Sequence, residues 1–244
     1  MAKSTKAATP PPATLASALK ALERAGSKKI RDEMGPRYGV VAKKAFGVPM
    51  AKIKLVAKSI GTDRALAAAL WKSGWYEARL LASMIDDADA VTAAQMDRWA
   101  KDFDNWGVCD TVCFLLFDQS PHAPAKALQW ARRKGEFEKR GGFALLACLA
   151  LHGRADDAYF LRSLAFIEDA AGDDRNFVKK GVSWALRAIG GRSAALNAAA
   201  LRLARRLSES GEASARWIGK DALKDLKSPA TARRLKARAR KEKP

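Results

Sequence analysis

The chain has 244 residues, 48% of them apolar, and a formal net charge of +19. That length is ample for a hydrophobic core. A composition rich in Ala and Leu and poor in β-branched runs argues against a sheet, and no apolar run approaches the about 18 residues that would span a bilayer.

The first stretch, "MAKSTKAATPPPATLASALK", is basic but lacks the apolar core and cleavage site of a signal peptide. Residues 1–13 are therefore expected to be a disordered basic leader. From there helical periodicity runs nearly throughout, over 14–25, 50–60, 62–73, 75–87, 92–103, 106–118, 123–134, 137–151, 155–170, 176–190, 193–209, 213–226 and 229–241. Breaks fall at Gly, Pro and Asp clusters such as "MGPRYG", "SIGTD", "SPHAP", "AGDDR" and "SGEAS". Residues 14–228 read as one all-α repeat domain, and 229–244 as a basic C-terminal helix and tail. Charge is concentrated at the ends: +7 over residues 1–50, +3 over 51–200 and +9 over 201–244. A surplus so placed fits a polyanionic partner, nucleic acid above all.

Three cysteines, Cys109, Cys113 and Cys148, sit in apolar surroundings without a disulfide spacing. Reduced, buried thiols in a cytoplasmic protein are expected. Cys109 and Cys113 lie one helical turn apart, but His122 and His152 supply no matching ligand pattern, so no metal is expected.

Five segments align without gaps: "WYEARLLASMI" from residue 75, "WGVCDTVCFLL" from 106, "EFEKRGGFALL" from 136, "NFVKKGVSWAL" from 176 and "RWIGKDALKDL" from 216. Their starts are 31, 30, 40 and 40 residues apart. That later period is the one HEAT-type repeats show. The expected architecture is a curved solenoid, an α-α superhelix of HEAT-like helix pairs, with the second helix of each pair lining a concave surface.

The fifth position of the segments holds Arg79, Asp110, Arg140, Lys180 and Lys220. Equivalent positions in a solenoid face the same way, which predicts a basic row interrupted by one acid; the alternative is a set of charges flanking each apolar stripe. The first position holds Trp75 and Trp106, one turn before Arg79 and Asp110. On the fourth segment Lys180, Trp184 and Arg187 are spaced i, i+4, i+7. A basic groove neutralises phosphates, and aromatic rings in it contact sugars or bases. An acid there opposes phosphate and needs another use. Stabilising an oxocarbenium-like sugar during N-glycosidic cleavage is one such use. Arg140 and Lys180 are expected to hold Asp110 ionised by lowering its pKa.

The stretches "RYGVVAKKAFGV", "ALWKSGWYEARLLA", "MDRWAKDFDNWGVCD", "KRGGFALLACLALH" and "DDRNFVKKGVSWALRAIG" together resemble the AlkD-like DNA alkylation repair family, HEAT-repeat alkylpurine DNA glycosylases, from about Tyr38 to Leu226. Pro49 and Met50 depart from the polar residues some members carry there. The resemblance implies excision of cationic alkylated purines, such as 3-methyladenine and 7-methylguanine, from double-stranded DNA. It implies no cofactor and no extrusion of the lesion into a pocket. Its catalytic set falls on Asp110, Trp106, Trp184 and Arg140, the last being the arginine of the groove. The DNA-binding set read for this chain is Arg79, Lys179, Lys180, Arg187 and Lys220. A monomer without membrane contact is expected. Two other readings fit the same scaffold: a non-catalytic DNA-binding repeat protein, and a protein-binding solenoid adaptor.

Overall fold

A computed structural model of the chain describes residues 13–241. The basic leader expected over 1–13 lies almost wholly outside the described residues, as do the last three residues of the tail. Among the described residues there are fourteen α-helices, two 3₁₀ turns and no strand. The all-α class follows from the sequence. The chain divides into two units, residues 1–86 and 87–244.

The first unit contains α1 (Leu15–Ala25), α2 (Lys28–Tyr38), α3 (Met50–Ile60), α4 (Arg64–Ser73) and α5 (Tyr76–Ile85). Thr14 starts α1 with a capping box: its hydroxyl accepts from the Ser17 amide at 3.2 Å, and Ser17 Oγ accepts from the Thr14 amide at 2.8 Å. Asp63 caps α4 through the Leu66 amide at 2.9 Å. Helices α1, α3 and α4 pack on α5. The segment before α3 is held by a buried acid on α5. Glu77 accepts the amides of Phe46, Gly47 and Val48 at 2.9, 2.7 and 3.1 Å. Three backbone donors offset the desolvation of that carboxylate.

Helix α2 departs from the expected pattern, which left residues 26–49 without a helix. It buries only Met34 and contains Pro36, so neither amphipathic periodicity nor helix propensity marks it. Ser27 at its start and Gly39, left-handed at φ 64°, at its end do mark it.

The second unit contains α6 (Ala93–Lys101), α7 (Trp106–Leu115), α8 (Ala123–Ala131), α9 (Glu136–His152), α10 (Asp157–Asp169), α11 (Asn176–Gly190), α12 (Ala194–Ser208), α13 (Ala213–Leu226) and α14 (Pro229–Lys241). Contacts run α7 to α9 to α11 to α13 along one layer and α8 to α10 to α12 along the other, and α8–α9, α10–α11 and α12–α13 pack across. Each hairpin thus gives one helix to each layer, the organisation of a HEAT-like repeat stack. Two glycines permit the tightest crossings. A Cβ at Gly142 would lie 2.3 Å from the Ala131 backbone nitrogen on α8, and one at Gly219 2.3 Å from the Ser208 nitrogen on α12. Helix α9 is the centre of the unit: Arg140 to Ala150 are all buried.

The basic C-terminal segment is helical through Lys241 and is tied to the unit. Arg238 donates to the Leu151 carbonyl at 3.2 Å, filling an acceptor left open at the C-terminal end of α9, and Arg234 lies 3.8 Å from Asp225.

Candidate nucleic-acid site on the second unit

Helix α7 begins where Asn105 accepts the Val108 amide at 3.0 Å. That cap fixes Trp106 as the first helical residue and places Asp110 one turn later. The neighbouring stripe of Val108, Cys109, Val112 and Cys113 is buried. The Cys109 and Cys113 thiols donate to the Phe137 and Gly141 carbonyls of α9, each at 3.6 Å. Burial pushes the Cys109 and Cys148 thiols well up, so they stay protonated and unreactive. Among the described residues, no three His, Cys, Asp or Glu side chains cluster as a metal site.

With the core stripe turned to α9, Trp106 and Asp110 line an open cavity of about 380 Å³. Its other walls are Arg140 from α9, Lys180, Trp184 and Arg187 from α11, and Trp217 and Asp221 from α13. One cavity therefore gathers Asp110, Trp106, Trp184, Arg140, Lys180 and Arg187 from the sequence-derived set. Lys179, half-buried, places its Nζ 5.2 Å over the ring of Trp217 at the cavity edge.

The Asp110 carboxylate meets Arg140 through two parallel bonds, Nε to Oδ1 at 2.9 Å and Nη2 to Oδ2 at 2.6 Å. Arg140 also donates from Nη1 to the Phe177 carbonyl at 2.7 Å, so it ties together α7, α9 and α11. Its side chain is 8% exposed and that of Asp110 18%. Burial pushes the Asp110 carboxyl above its ordinary value, and the Arg140 fork pulls the other way without fully offsetting it. This corrects the expected direction: Arg140 does favour the charged carboxylate, but loss of solvent outweighs it. Arg140 stays charged, because the Asp110 charge more than offsets its own burial.

Other side chains sit differently from the sequence pattern. Lys220 is exposed on α13 but is not a wall of the cavity; Trp217 and Asp221 are. Helix α13 starts at Ala213, three residues before the fifth segment, which removes the helix-start signal that set the register of the other four. The cavity consequently holds two acids, where the aligned row showed one. Arg79 belongs to the first unit and is not a wall of this cavity; its guanidinium lies 5.2 Å over the Trp71 ring. Trp75 stacks flat on Phe46 at 3.9 Å. Trp217 and Asp221 did carry a signal: W-x-x-x-D occurs at 217–221 as it does at 106–110.

A two-layer helical-repeat stack whose cavity combines three indoles, three cations and two carboxylates defines a helical-repeat protein with a charged aromatic groove. The family model described as "DNA alkylation repair enzyme" matches residues 18–226, and the chain belongs to that family. Among solved structures the chain is similar to one described as "a new family of proteins related to the HEAT-like repeat DNA glycosylases with affinity for branched DNA structures", at 18% identity and a TM-score of 0.74, covering 91% of this chain and 96% of that one. The likeness establishes the HEAT-like repeat fold. No curated protein matches the chain.

Proposed function

We propose that this chain is a monofunctional DNA glycosylase that binds duplex DNA and hydrolyses the N-glycosidic bond of cationic alkylated purines. The observation that carries this reading is Asp110: a poorly solvated carboxylate, fixed by Arg140, in a cavity shared with Trp106, Trp184 and Lys180. Lys180 and Arg187 contact phosphates, and the indoles of Trp106 and Trp184 hold the sugar of the damaged nucleotide. As the C1′–N bond lengthens, its electron pair neutralises the positive charge on the base and leaves positive charge on the sugar. Asp110 faces that charge and orients the water whose oxygen bonds to C1′; the proton lost by the water passes to solvent. The base departs neutral and needs no general acid. Arg140 acts as a positioning residue: its nearly buried guanidinium bonds both oxygens of Asp110. The chain acts as a monomer and needs no cofactor, because this hydrolysis requires only water.

The test is release of free 7-methylguanine and 3-methyladenine from methylated duplex DNA, with unmethylated duplex as control. Release above the spontaneous rate supports the reading. Duplex binding without release favours a non-catalytic DNA-binding protein. A second reading, affinity for branched DNA, draws on the structural relative's description, and the same α11 cations would serve it. Competition between a four-way junction and a duplex of equal length separates the two.

A further inference from the structure

Asp221 is an acid on a surface read as phosphate-binding, and the cleavage chemistry above does not use it. Its surroundings indicate a use. Its Oδ2 accepts the buried Ser183 hydroxyl at 2.5 Å and lies 3.4 Å from Arg187 Nε. The same Nε donates to the Ser183 carbonyl at 3.3 Å. Ser183, Arg187 and Asp221 thus close a triangle between α11 and α13. One turn before Ser183, Lys179 lies over Trp217, which is one turn before Asp221. Residues at i, i+4 and i+8 of α11 meet residues at j and j+4 of α13, so both α13 walls of the cavity are set by α11.

We propose that Asp221 is a positioning residue for Arg187. Both contacts engage Nε, which leaves the terminal guanidinium nitrogens to form a two-pronged contact with one phosphate. A long cationic side chain on an open surface otherwise loses rotamer freedom when it binds, and a preset Nε reduces that loss. The Asp221 side chain is 34% exposed and that of Arg187 35%. The pair is therefore wet enough to yield to phosphate while still limiting the rotamers. The Ser183 hydroxyl, fully buried, orients the carboxylate. This inference rests on the DNA-binding part of the function proposed above, not on its chemistry.

The direction of the effect distinguishes positioning from plain charge. If Asp221 only repels phosphate, Asp221→Ala strengthens binding. If it positions Arg187, Asp221→Ala weakens binding despite the added net positive charge, by about 3–10-fold for a coupled pair. The experiment is fluorescence anisotropy with an unmodified duplex across a salt series, for the parent, Asp221→Ala, Asp221→Asn, Arg187→Ala and the Asp221→Ala/Arg187→Ala double variant. The expected result is a loss in Asp221→Ala, partial recovery in Asp221→Asn, which still accepts from Ser183, and no further loss when Asp221→Ala is added to Arg187→Ala. The Arg187 Nε–H resonance, identified by its absence in Arg187→Ala, should shift or broaden in Asp221→Ala without DNA present. Tighter binding by Asp221→Ala, or losses that multiply in the double variant, would overturn the proposal. A parent that binds no duplex overturns the phosphate role and the DNA reading together. A parent that binds duplex but releases no base overturns the glycosylase reading alone.

Discussion

Asp110→Asn separates the structural job of one carboxylate from its proposed catalytic one. The substitution keeps size and removes charge. In the folded protein it replaces two charge-assisted bonds from Arg140, at 2.9 and 2.6 Å, with at most one neutral acceptor and a competing amide donor. Arg140, 8% exposed, keeps only the Phe177 carbonyl among its strong partners. Removing one member of a buried pair costs about 3–5 kcal/mol. Asp110 is not fully buried and its charge is already penalised by desolvation, so about 2–3 kcal/mol is the expected loss. For a chain of this size that lowers Tm by about 4–12 °C. Loss of the charge from the proposed transition state lowers single-turnover excision on the order of 10²–10³-fold. The assay pairs thermal melting with release of 7-methylguanine well below the melting range of the variant. The control is Asp110→Leu/Arg140→Met: exchanging a buried ion pair for apolar residues is often neutral or stabilising, so melting recovers and excision does not. Duplex binding by Asp110→Asn should match or slightly exceed that of the parent, since an acid has left the surface proposed to bind phosphate. Normal excision by folded Asp110→Asn would refute the catalytic assignment. Recovery of excision in the apolar double variant would show that Arg140 and Asp110 serve only to hold α7 against α9.

The acid limb of the excision profile should lie above the ordinary aspartate range, because the proposed chemistry needs Asp110 ionised and its pKa is raised; a limb at or below that range would mean that another group titrates. Asp173, bonded to Lys139 at 2.9 Å and to Arg175 at 2.9 and 2.6 Å, has its carboxyl held far below the usual value, chiefly by Arg175. Its contribution to stability is therefore present above the unfolded pKa and lost as pH falls toward the folded one. Asp173→Asn should lower the melting temperature at pH 7, and the gap from the parent should close on acidification below about pH 4; a gap independent of pH would remove the ion pair as its cause. Glu77→Gln should cost about 2–3 kcal/mol and speed hydrogen exchange at Phe46, Gly47 and Val48, whose amides Glu77 accepts; unchanged exchange there would sink that role.

What could be read from the sequence depended on the kind of signal. Thirteen helices were legible because Gly, Asp, Ser and Pro punctuate apolar stripes, and caps such as Asn105 and Asp63 sit where the stripes begin. Helix α2 was not, because only Met34 of it is buried and periodicity has almost nothing to report. The Trp106–Asp110 face was legible from i, i+4 spacing on a helix whose other stripe is plainly core. The Asp110–Arg140 pair was not: gap-free alignment puts both at the same repeat position, which suggests parallel cations and acids in a row. Instead the two helices pack closely enough for one side chain to bond the other. Asp221 was missed for a related reason. Its helix begins three residues early, so alignment by local pattern put Lys220 in its place.

The Asp110–Arg140 pairing resolves the oddity of an acid among cations proposed to bind phosphate. Seen from a distance, Asp110 and Arg140 are one neutral unit, so an approaching phosphate meets Lys180 and Arg187 with little repulsion from Asp110. Close to the cavity wall the balance differs. The guanidinium is spent on Asp110 and on the Phe177 carbonyl and is nearly buried, whereas the carboxylate retains the larger exposed fraction. A short-range positive centre beside Asp110 would therefore meet the carboxylate before it met the guanidinium. On the proposed chemistry that centre is the sugar, and its charge exists only while the bond is breaking. An arrangement that is neutral to ground-state DNA and negative to the reacting sugar favours the transition state selectively, which is the condition for raising a rate and not merely an affinity.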